Sequence, residues 1–165
     1  MKRLGFNSKL LLCLLMLCAR PFGATRAQES IDIGAEVWIE PGQTPEQIDG
    51  WFRLAADNGM RSVRLFLMWN YIEKQPGEFD FSLYDTAVAA ANRHKVRIEA
   101  TLCAIHGPAW LSEKFRGRPQ FNELFDSEQV LVRAAEYIRQ TVTRYRDDQA
   151  LESWWVLNEP RRFDP

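Results

Sequence analysis

The run Trp154-Trp155-Val156-Leu157-Asn158-Glu159-Pro160 places an amide and a carboxylate directly after four apolar residues. Four apolar residues in a row, two of them Trp, predict a strand buried on both faces. Pro160 has no N–H to give to a sheet ladder and biases Glu159 towards extended geometry, so the strand should stop at the Asn-Glu pair. A carboxylate at the C-terminal end of a buried parallel strand stands where α/β enzymes keep their chemistry. The plainer alternative is a strand that ends in polar residues as strands do, and this run by itself leaves both open. Cys103 and His106 could in principle form a thiol–imidazole pair, but neither sits in a recognisable nucleophile motif, and Cys103 reads better as a small buried hydrophobe. With only His94 and His106 in the chain, no metal site is expected, and nothing calls for a cofactor.

These groups need a frame to hold them. Ile31 to Trp38 reads as a first strand, with small residues at Gly34 and Ala35. Thr44 then offers an N-cap, Pro45 suits the first helical position, and Glu46 and Gln47 occupy the first turn. Ile48, Trp51, Phe52 and Ala55 recur at helical spacing before Asn58-Gly59 ends the helix. Arg61 to Met68 is a second strand, so the order is that of a βαβ crossover. Arg64 lies inside that strand, where an unpaired guanidinium is costly. It faces either the interior of the sheet's open side or outwards beneath a helix. Pro76-Gly77 marks a turn, and a second helix starts near Ser82 with Leu83, Tyr84, Ala87, Val88 and Ala91 on its apolar face. His94, at that helix's C-terminus, suits the helix dipole on the surface. Val96 to Cys103 alternates as a third strand, and a long connection without periodicity follows. Ser127-Glu128 opens a third helix with Leu131, Ala134, Ala135, Ile138, Val142 and Tyr145 on one face, and the Trp154–Leu157 strand comes fourth. The fold class is α/β in β-α-β-α-β-α-β order.

Residues 1–27 stand apart. Lys2, Arg3 and Lys9 precede an apolar run from Leu10 to Cys18, and Thr25-Arg26-Ala27 offers small residues where a signal peptidase reads. The run is too short for a stable bilayer-spanning helix, so the expectation is a cleaved signal peptide and a secreted or periplasmic product; an uncleaved anchor is the alternative. Removing these residues takes away five basic and no acidic groups, which moves the formal charge from -1 to -6. A mildly acidic domain has no electrostatic case for nucleic acid. Cys103 is then the only thiol in residues 28–165 and cannot form an internal disulfide.

The stretch DDQALESWWVLNEP resembles the clan of retaining glycoside hydrolases built on the (β/α)8 barrel, most of all the family 42 β-galactosidases, with cellulase-like members second. EKQPGEFDFS is similar to the clan's loop after its second strand, and GPAWL to a PPAWL motif of family 42. The resemblance runs from about Ile31 onwards. It implies a partial (β/α)8 TIM barrel holding the first four strands, in residues 28–165. A whole barrel takes about 250 residues. It further implies Glu159 as the acid/base and Asn158 as the holder of a sugar 2-hydroxyl. Arg64 would aim at the nucleophile, a glutamate of the seventh strand that lies beyond Pro165. His106 matches a histidine of the cellulase-like members and is absent from family 42. Arg118 would match a sugar-binding arginine in the third loop of family 42. Trp69, Asn70 and Trp110 fall on loops at the same end, where aromatic rings suit the flat faces of sugars or serve ordinary packing.

The implied function is hydrolysis of a β-galactoside or β-glucoside, with no cofactor, no metal, no nucleic acid and no membrane after signal cleavage. A four-stranded half-barrel would carry open edges and self-associate through them. The competing expectations are a non-catalytic carbohydrate-binding or vestigial half-barrel, and a half-barrel that pairs with a second chain.

Overall fold

The computed structural model describes residues 33–111, 127–156 and 158. The expectations for residues 1–27, Arg118 and Glu159 fall outside these. Within them the chain forms β1 (Gly34–Val37), α1 (Pro45–Asp57), β2 (Ser62–Met68), the single turn α2 (Trp69–Ile72), the hairpin strands β3 (Glu73–Gln75) and β4 (Glu78–Phe79), α3 (Ser82–His94), β5 (Arg97–Cys103), α4 (Glu128–Tyr145) and β6 (Leu151–Trp155). The main sheet has the order β1-β2-β5-β6 with every pair parallel. This is the expected β-α-β-α-β-α-β alternation, with a small hairpin added after the second main strand. The fourth main strand, expected at Trp154–Leu157 and buried on both faces, instead runs Leu151–Trp155, with Trp155 and Val156 exposed because no further strand or helix covers that side among the described residues. Gly34 is required at the first pairing: a Cβ there would stand 2.9 Å from Ser62 Oγ and 3.0 Å from the Ser62 carbonyl.

Local chemistry fixes α1. The Thr44 side chain accepts from the Gln47 N–H at 3.3 Å, and Gln47 Oε1 accepts from the Thr44 N–H at 2.8 Å. This reciprocal pair satisfies two helix-end donors that would otherwise need water. Ile48, Phe52 and Ala55 are buried, whereas Trp51 is 46% exposed and does not join the core face. At the other end Gly59 takes φ +74°, a left-handed conformation that glycine adopts without strain.

The helices cover one face of the sheet. Val63, Leu65 and Leu67 of β2 and Ile98, Ala100 and Leu102 of β5 belong to the large core with α1, α3 and α4. Phe66, Met68 and Cys103 form a separate cluster on the opposite face. Side chains alternate along a strand, so the polar residues between the core positions are committed to that opposite face.

The buried face of α4 differs from the expected one. Val130, Ala134, Tyr137, Thr141 and Tyr145 are fully inside, while Ile138 and Val142 are partly buried and Ala135 is exposed. The hydroxyls of this face are satisfied internally, which is why it can be buried. Thr141 Oγ1 donates to the Tyr137 carbonyl at 2.8 Å. Tyr137 Oη donates to the Leu67 carbonyl at 2.5 Å, and Tyr84 Oη accepts from the Met68 N–H at 2.9 Å. Burial pushes both phenols above their ordinary range, so they stay protonated. Two tyrosines from two helices thus hold the last residues of β2 in place.

The helices are also tied to one another. Asp49 of α1 accepts from His94 at 2.9 Å and from Arg93 of α3. Its carboxyl is held below the usual range, first by the His94 hydrogen bond. His94 is therefore an inter-helix partner as well as a residue near the helix end. Asp85 of α3 takes both guanidinium arms of Arg144 at 2.7 and 2.5 Å and the Tyr145 hydroxyl at 2.8 Å.

Tyr137→Phe should keep the ring and remove the hydroxyl that donates to the Leu67 carbonyl. An unsatisfied buried acceptor costs about 1–3 kcal/mol, so the urea midpoint should fall with an unchanged slope. An unaltered midpoint would mean that this bond does not hold β2.

Candidate functional site

Arg64 sits on the face of β2 away from the helices. It is opposite Glu99, with Phe66 opposite Thr101 and Trp155 opposite Thr101 from the other side. Its Nε donates to Thr101 Oγ1 at 3.0 Å and its Nη2 to Asn158 Oδ1 at 2.9 Å. The guanidinium carbon lies 5.0 Å from the ring centroid of Phe66 and 5.0 Å from that of Trp155. Both hydrogen bonds and both ring faces suit a planar cation better than a point charge. Of the two orientations open from the sequence, the structure adopts the inner one. Trp38 stacks on Phe66 at 4.7 Å with ring planes 12° apart, and Trp155 Nε1 donates to Glu99 Oε2 at 3.2 Å. Trp38 and Trp155 are 48% and 47% exposed, so this face is open to solvent at both flanks.

The bond to Asn158 spans the sheet from the second main strand to the segment after the fourth. It brings together two residues 94 positions apart in sequence. The Asn158 side chain uses its oxygen on Arg64, which leaves its NH2 to donate.

A second group of expected residues meets at the C-terminal ends of β2 and β5. The Asn70 N–H donates to the His106 carbonyl at 3.0 Å, which fastens the start of α2 to the connection after β5. Asn70 Oδ1 is buried without a hydrogen-bond partner among the described residues. Trp69 is 0% exposed, so it offers no ring face to a ligand from solvent. It stacks on Tyr137 at 5.7 Å and meets Trp110 edge-on at 6.4 Å. Of the two roles open for Trp69, packing is the one its burial allows. Trp110 is partly exposed, donates from Nε1 to the Glu73 carbonyl at 3.0 Å and carries the Arg133 guanidinium 5.3 Å from its ring.

Glu73 was not among the residues expected from sequence. Its carboxylate is fully buried and accepts from Trp69 Nε1 at 2.7 Å, from the Gly77 N–H at 2.7 Å and from Arg133 of α4. A charge can be buried when its lone pairs and its charge are both met. The available signal was a glutamate set between buried Ile72 and the Pro76-Gly77 turn, four residues after a tryptophan.

Cys103 faces the inner side beside Phe66 and Met68. Burial pushes its thiol up to about 12, against a smaller opposite pull from Arg64. At neutral pH it is therefore a protonated, inert group and not a nucleophile. Its backbone carbonyl accepts the His106 N–H at 3.3 Å.

No family model matches the chain. Among curated proteins it is similar to β-galactosidase bgaB of Geobacillus kaustophilus, 28% identical over 136 residues, which cover 72% of this chain and 20% of that protein. It is equally similar to mannan endo-1,4-β-mannosidase 2 of Oryza sativa subsp. japonica, 28% identical over 147 residues, 74% of this chain and 33% of the relative. Among solved structures, the endo-β-1,4-mannanase of Thermotoga petrophila superposes with a TM-score of 0.62 at 16% identity, covering 83% of this chain and 36% of that one. The chain thus spans about a fifth to a third of the relatives it matches. The parallel four-stranded sheet with its helices is a partial (β/α)8 barrel of the kind found in glycoside hydrolases. Its relatives carry both the β-galactosidase and the mannanase names, which agrees with the two branches of the clan that the sequence motifs resemble.

An alkylating reagent should leave Cys103 unmodified in the native chain at pH 8 and modify it in urea, as read by mass spectrometry of the peptide carrying it. Native labelling at the unfolded rate would place the thiol outside the inner cluster.

Proposed function

We propose that residues 28–165 form the N-terminal part of the catalytic barrel of an exported retaining β-glycosidase. The observation that carries this reading is the Arg64–Asn158 hydrogen bond across the open face of the sheet, one residue before Glu159. The low-identity likeness to a β-galactosidase and to mannanases supports a glycosidase in general and, more narrowly, a β-linked hexoside as substrate.

In this reading Glu159 is the acid/base. It gives a proton to the leaving glycosidic oxygen while a second carboxylate, from a strand other than these four, attacks the anomeric carbon. In retaining enzymes the two carboxyl groups stand about 5–5.5 Å apart. Glu159 then takes a proton from the water that releases the glycosyl-enzyme. Asn158, fixed through its oxygen by Arg64, donates from its NH2 to the sugar 2-hydroxyl. Arg64 adds a positive charge that favours an ionised nucleophile. His106, Asn70 and Trp110 stand at the same end of the barrel and contact the sugar, and Arg118 is carried in this reading as a further sugar-binding residue. Trp69 supports Trp110 from beneath.

Glu159→Gln in the intact enzyme should lower kcat on alkyl glycosides by about 10²–10⁴-fold, the usual contribution of general acid catalysis. The loss should shrink on nitrophenyl glycosides, whose leaving groups need little protonation. Equal losses on both would remove Glu159 from the acid role. Retained sugar binding with no turnover in the parent protein would instead favour a non-catalytic carbohydrate-binding protein. Export rests on Lys2, Arg3, Lys9 and the apolar run that follows. The secreted product should begin at or near Gln28 by mass spectrometry; an intact Met1 on protein from the cytoplasm would contradict it.

A further inference from the structure

Asn58 and Gly59 end α1 and lead into β2. Asparagine followed by glycine is also the pair in which a backbone nitrogen most readily attacks the preceding side-chain amide, because glycine has no Cβ to shield that nitrogen and turns freely about its backbone. Both residues are exposed, and the place where a Gly59 Cβ would stand is empty within 4 Å, so water and base reach this peptide.

The folded helix end holds the pair in the wrong shape for that attack. The Gly59 N–H donates to the Ala56 carbonyl at 3.0 Å and the Met60 N–H to the Ala55 carbonyl at 3.0 Å. With Gly59 at φ +74°, these two bonds make a Schellman end. Asn58 Nδ2 donates to the Leu54 carbonyl at 2.8 Å, which draws the side-chain amide carbon back along the helix. At ψ 13° the Gly59 nitrogen nearly eclipses the Asn58 backbone nitrogen and stands away from Cβ. Ring closure needs the opposite arrangement, a Gly59 nitrogen without its hydrogen bond lying beside the Asn58 amide carbon. One event supplies it, the fraying of the last turn of α1.

We propose that Asn58 is a self-modifying site, converted by water to aspartate and isoaspartate at a rate set by opening of this helix end. Once open, the Gly59 nitrogen gives its proton to a solvent base and attacks Asn58 Cγ. The N–Cγ bond forms, the Cγ–Nδ2 bond breaks, and the amide leaves as ammonia with a proton from water. Water then opens the cyclic imide. Breaking the new N–Cγ bond gives aspartate in an ordinary backbone, and breaking the old peptide bond gives isoaspartate, with the backbone running through the side chain. Either product loosens the end of α1. Aspartate puts a carboxylate beside Asp57 at the negative end of the helix and has no donor for the Leu54 carbonyl. Isoaspartate lengthens the backbone by a methylene, so the Gly59 and Met60 N–H groups lose their fit to the Ala56 and Ala55 carbonyls. The Arg61 N–H is already bonded to the Ile33 carbonyl at 3.2 Å, so the short connection to β2 cannot absorb the extra length.

Incubation of the full chain at pH 8, in buffer and in urea, tests this, with trypsin digestion and chromatography coupled to mass spectrometry of the peptide Leu54–Arg61. In urea the peptide should convert to two products of equal mass that separate on the column. In buffer conversion should be at least about tenfold slower, since a helix end is open only part of the time. Ala56→Gly leaves the reacting pair intact and weakens the last turn. It should speed conversion in buffer by about fourfold, the helix penalty of glycine against alanine read as a change in the opening equilibrium, and leave the rate in urea unchanged. In the converted chain the Gly59 and Met60 amides should exchange hydrogen faster than in the parent. Absence of conversion in urea removes the site. Equal rates in buffer and urea, an Ala56→Gly rate in buffer no higher than the parent's, or unchanged exchange at Gly59 and Met60 overturns the role of the helix end.

Discussion

A guanidinium on the inner side of a parallel sheet must find its hydrogen bonds there, because the backbone groups around it are already paired in the ladder. Arg64 meets this requirement with Thr101 on the next strand and Asn158 beyond the last one, and its guanidinium lies over the rings of Phe66 and Trp155. The register of β2, β5 and β6 follows from this. A slip of one residue would turn Arg64 into the helix-covered core and bring Val63 or Leu65 out to the open face. The same cation thus fixes which side of the sheet is polar and where Asn158 stands relative to the strands.

The second anchor is Glu73. Its position in the hairpin after β2 lets one carboxylate gather an indole of α2, a backbone amide of the turn and a guanidinium of α4. Through the Trp110 bond to the Glu73 carbonyl the connection after β5 joins the same group. The two anchors differ in setting. Arg64 lies on a face that remains partly open, where a bound molecule can reach its neighbours. Glu73 lies under the strand ends, where its partners hold loops in position and leave no room for a ligand.

How much of this could be read in the chain depended on the range of the forces involved. Thr44, Pro45 and Gln47 announced α1 because a capping box is a contact between residues three apart. The strand order followed from the alternation of apolar runs and helical patterns. The buried face of α4 departs from the apolar pattern because Tyr137 and Thr141 are polar by type, although their hydroxyls are satisfied at the Leu67 and Tyr137 carbonyls. Around the Pro76-Gly77 turn the hairpin β3–β4 leaves no mark in the sequence, because strands of three and two residues have no periodicity to detect. For Arg64 the sequence stated a cost, a buried charge, but not which of two faces it occupied. The partner that decides it lies 94 residues away.

The sequence separations around Glu73 also bear on the order of events in folding. Trp69 and Gly77 are four residues from it, so both can reach the carboxylate as soon as the turn closes, on the timescale of hairpin formation. Arg133 is 60 residues away and belongs to a helix that follows β5 in the chain. Until α4 docks, the carboxylate has its hydrogen bonds but no balancing charge, and such a group stays hydrated. Burying the Glu73 carboxylate and seating α4 against β2 are therefore one cooperative step. The loop that carries Asn70 and Tyr71 gains its final shape only when the third helical unit is in place.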